Sequence, residues 1–234
     1  MVIRGGTVVN AAEISKCDVG IKDGRIVALG EKLDAGAEEI DATGKYVMPG
    51  GIDSHCHIDQ RSSGGGRNSE TFESGTRSAA CGGTTTIICF AAQEKGELLT
   101  PVVEEYHDKA KQSCIDYSFH LIISDPSDEV MHEEVPKLIK AGHRSLKLFM
   151  TYPRNRLNDA EILRVLEVAK LNQALVCVHA ENHDAIMYMT EKLLAADKNS
   201  TKHHAWAKPP LVEREATHRM IMLAELLDVP IQIF

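Results

Sequence analysis

Apolar and polar positions alternate in short runs through the first fifty residues, and then the rhythm changes. Val2-Ile3-Arg4, Thr7-Val8-Val9, Cys17-Asp18-Val19-Gly20-Ile21 and Arg25-Ile26-Val27-Ala28-Leu29 alternate or run apolar. Gly5-Gly6, Lys22-Asp23-Gly24 and Thr43-Gly44 punctuate them. Runs of this kind bounded by glycine turns predict short strands. Residues 1–50 therefore read as a small β unit, the N-terminal portion of a β-sandwich.

After residue 50, short apolar runs at 51–54, 85–90, 117–123, 145–149, 175–179 and 230–234 predict six strands. Between them, helical spacing covers 69–80, 98–111, 129–141, 159–171, 184–196 and 213–227. Strands alternating with helices indicate βαβ units and a parallel sheet, hence an α/β fold for residues 51–234. No internal repeat, low-complexity tract or long linker interrupts the pattern. Two architectures compete. A doubly wound nucleotide-binding sheet calls for G-x-G-x-x-G or a P-loop after an early strand. Here Gly64-Gly65-Gly66 is followed by Arg67 and no strand directly precedes it. The other choice is a (β/α)8 barrel, which carries its chemistry at the C-terminal strand ends.

Composition narrows the partners. The chain has 234 residues and a net charge of -8, without the clustered Lys and Arg that nucleic acid or an anionic membrane requires. No apolar run is long enough to span a bilayer, and the first residues lack the apolar core of a signal peptide. Six scattered cysteines (Cys17, Cys56, Cys81, Cys89, Cys114 and Cys177) form no C-x-x-C. Most read as small buried residues in a reducing, cytoplasmic setting. Asn199-Ser200-Thr201 matches a glycosylation acceptor, and without a secretory signal it reads as chance.

Chemistry enters at three strand positions. His55 and His57 follow Val47-Met48-Pro49-Gly50-Gly51-Ile52. Residues two apart on a strand point the same way, so both imidazoles can project together toward a metal. Lys147 sits inside the apolar Ser145-Leu146-Lys147-Leu148-Phe149-Met150, where a lysine is costly unless paired, neutralised or bound. His179 ends Leu175-Val176-Cys177-Val178. Each has a plainer explanation: two ordinary histidines, an edge or snorkelling lysine, a core histidine. Three polar intrusions at one barrel mouth point instead to a shared site. His120, inside its strand, reads as a core or supporting residue. His183, His203, His204 and His218 read as structural or solvated, with His203 and His204 in a loop near Trp206.

Five segments together carry a resemblance. They are Pro49-Gly50-Gly51-Ile52-Asp53-Ser54-His55-Cys56-His57, Gly82-Gly83-Thr84-Thr85-Thr86-Ile87-Ile88, Asp116-Tyr117-Ser118-Phe119-His120, Ser145-Leu146-Lys147-Leu148-Phe149-Met150-Thr151-Tyr152 and Val178-His179-Ala180-Glu181-Asn182. In this order the chain resembles the dihydropyrimidinases and D-hydantoinases, cyclic amidohydrolases of the amidohydrolase superfamily. The resemblance implies a (β/α)8 TIM-like barrel. It implies two Zn2+ ions, other divalent metals being possible, bridged by N6-carboxylated Lys147. His55, His57 and Lys147 would hold one ion, and Lys147 and His179 the other. A metal-bridging hydroxide would then open dihydropyrimidines or 5-substituted hydantoins to N-carbamoyl amino acids. Tyr152 matches the family tyrosine that binds substrate and supports the developing oxyanion. Residues 59–68 and 149–156 align with loops that shape the substrate pocket. A homotetramer is implied for the full-length protein.

The chain departs from the family in places. Cys56 stands where many relatives have Thr, and Cys89 where many have Asp. By strand alternation Cys56 should point away from the metals. Relatives continue past a strand like Pro230-Ile231-Gln232-Ile233-Phe234 into a further histidine ligand and a later metal-binding aspartate. A barrel alone needs about 250 residues, more than follow position 50. The chain is therefore expected to be an N-terminal portion of a longer enzyme, its barrel truncated after about six strands. The alternatives are a non-catalytic assembly protein of the same fold, like the collapsin response mediator proteins, or an inactive fragment. The presence of His55, His57, Lys147 and His179 speaks against the assembly protein.

Overall fold

The computed structural model describes residues 1–61 and 66–234. Gly64 and Gly65, and the centre of the 59–68 loop, lie outside the described residues. Two units are distinguished, Met1–Gly51 and Ile52–Phe234.

In the first unit, β1 (Val2–Arg4), β2 (Thr7–Val9), β3 (Ile14–Lys16), β4 (Asp18–Lys22), β5 (Arg25–Gly30), β6 (Glu39–Asp41) and β7 (Tyr46–Val47) form two small sheets. Their orders are β5-β4-β1-β6 and β3-β2-β7. Asp23 and Gly24 both take positive φ, 51° and 71°, the two-residue turn that joins β4 to β5 without splaying them. Asp18 is only 5% exposed. Its carboxylate accepts the Gly5 N–H at 2.9 Å, the Leu33 N–H at 3.1 Å and Arg4 Nη1 at 3.0 Å. These donors, the Gly5 amide foremost, hold the Asp18 carboxyl below the usual carboxylate range. Strands β3, β6 and β7 escaped the sequence pattern. They are two or three residues long with no buried residue, so no apolar periodicity marks them.

The second unit alternates as the pattern predicts. Its elements are β8 (Gly51–Asp53), α1 (Phe72–Cys81), β9 (Thr84–Ala92), α2 (Leu99–Ala110), β10 (Asp116–Ile122), α3 (Val135–Lys140), β11 (Ser145–Phe149), α4 (Asp159–Asn172), β12 (Leu175–His179), α5 (His183–Ala195), α6 (His204–Ala207), α7 (Pro210–Leu227) and β13 (Ile231–Ile233). The sheet order is β13-β12-β11-β10-β9-β8. Pairings from β9 to β13 are parallel. This is the sequential α/β sheet of a (β/α)8-type barrel over six strands. Leu121, Leu146, Leu148 and Val176 are fully buried, as expected of strands covered on both faces.

Local chemistry sets the helix ends. Thr71 with Ser74, and Asn158 with Glu161, form capping boxes before α1 and α4. Leu98 cannot cap α2. The carboxylate of Glu134 does so from a distance, accepting the Leu99 and Thr100 N–H groups, the latter at 3.0 Å. The helix expected over 129–141 is wound as a π turn at Val130–Glu134 before α3. Pro136 has no N–H to give the preceding turn, and the wider turn takes up the break. His203 and His204 lie in short helical turns rather than open loop.

Candidate functional site

Beyond β8 the chain turns at once, with Asp53 Oδ1 accepting the His55 N–H at 3.0 Å. His120, from β10, braces this turn. Its Nε2 lies 2.9 Å from the Ser54 carbonyl and its Nδ1 2.6 Å from Ser145 Oγ. A carbonyl only accepts, so Nε2 carries the proton and Nδ1 takes the serine hydroxyl. Burial keeps this imidazole neutral by lowering its pKa. The side chains of His55 and His57 then stand with ring centroids 5.4 Å apart. Phe90 stacks on His57 at 4.5 Å. Gln60 Oε1 lies 2.6 Å from His57 Nδ1, which occupies that nitrogen and leaves Nε2 available as a donor atom.

Between the two histidines, Cys56 turns to the opposite side. Its Sγ lies 3.4 Å from Sγ of Cys89 on β9. The contact between the two thiols, and then burial, push Cys89 up, while the same contact holds Cys56 below the ordinary thiol value.

Lys147 is 1% exposed, and its Nζ has no hydrogen-bond partner among the described residues. Aromatic rings surround it, with Nζ 4.2 Å from the Phe234 centroid, 5.0 Å from Phe149 and 5.6 Å from Phe90. Cation–π attraction offsets only part of the ammonium's lost hydration, and burial pulls its pKa down to about 8.

The β11–β12 register sets Phe149 beside His179. His179 Nε2 lies 2.7 Å from Glu181 Oε2, and the same oxygen accepts Lys208 Nζ at 2.9 Å. A carboxylate fixes this ring's tautomer and leaves Nδ1 available as a donor atom. The Tyr152 ring lies 5.2 Å from that of His179. Tyr152 takes a positive φ of 67°, a strained conformation for a bulky residue that the surroundings must hold. Its carbonyl accepts the N–H groups of Asn155 at 2.9 Å and Arg156 at 2.8 Å. Asn155 Nδ2 donates to Ser124 Oγ at 2.9 Å, and the Ser124 N–H donates to Gln93 Oε1 at 2.9 Å. Gln93 is fully buried. A chain of hydrogen bonds thus ties the Tyr152 loop to the ends of β10 and β9.

One cleft of about 910 Å3 brings together His55, His57, Lys147, His179 and Tyr152, with Gln93, Arg154 and Asn155 on its walls. These five nominated residues come from the ends of three strands. Among the described residues, no three His, Cys, Asp or Glu side chains are gathered as a metal-holding group. The cleft brings imidazoles to a lysine instead. Sequence reasoning missed Gln93, Ser124, Asn155 and Lys208. Gln93 had a signal, being a polar residue just after an apolar strand, as His179 ends one.

A family model described as the amidohydrolase family matches residues 46–228. The D-hydantoinase of Geobacillus stearothermophilus is 48% identical over 96% of this chain and 48% of its own length. The D-hydantoinase of Ralstonia pickettii is 43% identical over 100% of this chain and 51% of its own. The crystal structure of dihydropyrimidinase from Brevibacillus agri superposes with a TM-score of 0.95 at 42% identity, covering 99% of this chain and 51% of that one. The chain spans about half the length of the curated relatives it matches.

Proposed function

The chain belongs to the amidohydrolase family, and from that membership we propose that it serves a hydrolase opening cyclic amide rings. The substrates are dihydropyrimidines or 5-substituted hydantoins, and the products N-carbamoyl amino acids. D-hydantoinases and a dihydropyrimidinase among its relatives support that substrate class. The observation that carries the reading is Lys147, a buried amine with no hydrogen-bond partner among the described residues, in a cleft that also holds three imidazoles.

Such an amine fits the implied metal pair. Its free form adds to carbon dioxide, a C–N bond forms, and the amine proton leaves to water. A cation without a counter-ion becomes an anion with two oxygen donors. His55, His57 and carboxylated Lys147 would hold one zinc or other divalent ion, and Lys147 with His179 the second. Bound there, two such ions supply an acidified water and polarise the scissile carbonyl.

The chain's own residues do the rest. The Tyr152 hydroxyl donates a hydrogen bond where negative charge develops on the carbonyl oxygen. Asn155, Ser124 and Gln93 hold its loop in place. Glu181 keeps His179 in one tautomer. The cleft's volume accommodates a small cyclic ureide with a substituent. The cysteines are all free thiols, which suits a reducing cytoplasm.

The test is metal content and ring opening of dihydrouracil and hydantoin by the full-length protein prepared with 13C-bicarbonate. Two ions per chain, a carbamate carbon signal and turnover are expected. Lys147→Ala should lose all three, with short carboxylic acids restoring part of the turnover. A Lys147→Ala protein that kept both ions and its full rate would remove the carbamate from the mechanism.

A further inference from the structure

Cys56 and Cys89 place two thiols in contact directly behind the paired histidines. Their sulfurs are 3.4 Å apart, and 33 positions separate the residues along the chain. Both are free. Cys89 lies on β9, and Cys56 follows the end of the neighbouring strand β8 by three residues. A disulfide holds its sulfurs at about 2.05 Å, so closure asks for a movement of roughly 1.4 Å. Cys89 is 0% exposed, whereas Cys56 is only partly buried. The pair therefore combines a thiol within reach of a small oxidant and a sheltered one touching it.

We propose that Cys56 and Cys89 are a site of oxidative modification, converted by a hydroperoxide into an intrachain disulfide that displaces His55 and His57. Cys56 sulfur attacks one peroxide oxygen, the O–O bond breaks, and water leaves when the oxidant is hydrogen peroxide. The product is a sulfenic acid on Cys56. Cys89 sulfur then attacks that sulfur, the S–S bond forms, the S–O bond breaks, and a second water leaves. Two thiols are oxidised, one peroxide is reduced, and both thiol protons end in water. Cys56 is covalently flanked by His55 and His57, so drawing its sulfur toward β9 turns both imidazoles. Cys89, packed at 0% exposure, cannot make the whole movement itself. The displacement rests on the metal reading above; the disulfide does not.

The experiment treats the full chain, zinc-loaded, with a few equivalents of hydrogen peroxide, then maps thiols by alkylation and mass spectrometry. A loss of 2 Da, a peptide joining Cys56 to Cys89, and roughly tenfold weaker zinc retention are expected, with dithiothreitol reversing all three. Cys89→Ser should form no such link and keep its zinc under the same peroxide. Both thiols remaining alkylatable, or Cys56 ending as sulfinic acid without a link, overturns the site. A link with unchanged zinc overturns the displacement. Failure to take up zinc before oxidation counts against the metal reading instead, and the thiol map still decides the disulfide.

Discussion

His179 Nε2 lies 2.7 Å from Oε2 of Glu181, and the same carboxylate oxygen is shared with Lys208. A carboxylate behind a metal-binding imidazole sets which nitrogen faces forward and raises its basicity. Glu181→Gln keeps the shape of the group and removes its charge. We expect zinc at the second position to bind roughly 10- to 100-fold more weakly, with the first position unchanged. Zinc titration in the presence of a competing chelator reads both. Equal weakening at the two positions, or none, would count against the assigned role.

Burying Lys147 costs the metal-free chain stability. Its folded pKa of about 8 lies below the ordinary lysine value of 10.5. Below pH 8 both states are protonated and the full penalty applies, about 3 kcal/mol from the shift. The unfolded chain holds more protons between pH 8 and 10.5, so stability rises with pH across that window. Lys147→Met should therefore be more stable than the wild type at pH 7 by about 3 kcal/mol while binding no metal pair. Urea midpoints of the metal-free proteins at pH 7 and pH 10 provide the check. The gain should shrink toward the higher pH.

Asn155 holds the Tyr152 loop through Ser124. Asn155→Ala should lower kcat by roughly ten- to a hundredfold through misplacement of the phenol. KM should change little, and circular dichroism should be unaltered. A matching fall in Tyr152→Phe, and no further fall in the double variant, would show that both act through one hydroxyl. Additive losses would separate them.

Asp18 provides the acid-side prediction. Its folded pKa is lowered, first by the Gly5 N–H, then by Leu33 and Arg4. A depressed carboxylate pKa contributes stability that is present above the unfolded value and lost as pH falls through the folded one. Asp18→Asn should therefore weaken the protein at neutral pH and flatten its loss of stability below about pH 4. Urea midpoints between pH 2 and pH 7 measure both effects. A variant whose acid limb parallels that of the wild type would contradict it.

Residues 51–234 were legible because their strands and helices have buried faces, and burial writes a period into the sequence. Ile14 is 71% exposed, and its strand has no such period to show. His55, His57, Lys147 and His179 were legible for the opposite reason: each is polar where the pattern calls for apolar. The bracing of the site was not. Gln93, Ser124 and Asn155 follow three different strands and meet only once the sheet has formed. Glu134 likewise caps a helix that begins at Leu99. Partners chosen by tertiary proximity leave no local signature.

The strand order has a consequence for how the chain is made. Each strand from β9 to β13 neighbours the strand immediately before it in sequence. During synthesis, every new strand therefore meets an edge already laid down, and no later segment must be threaded between two earlier ones. His55 and His57 arrive with the first strand of this sheet, Lys147 with the fourth and His179 with the fifth. The cleft is assembled from one side in the direction of translation, and its lysine is enclosed only when its neighbours emerge.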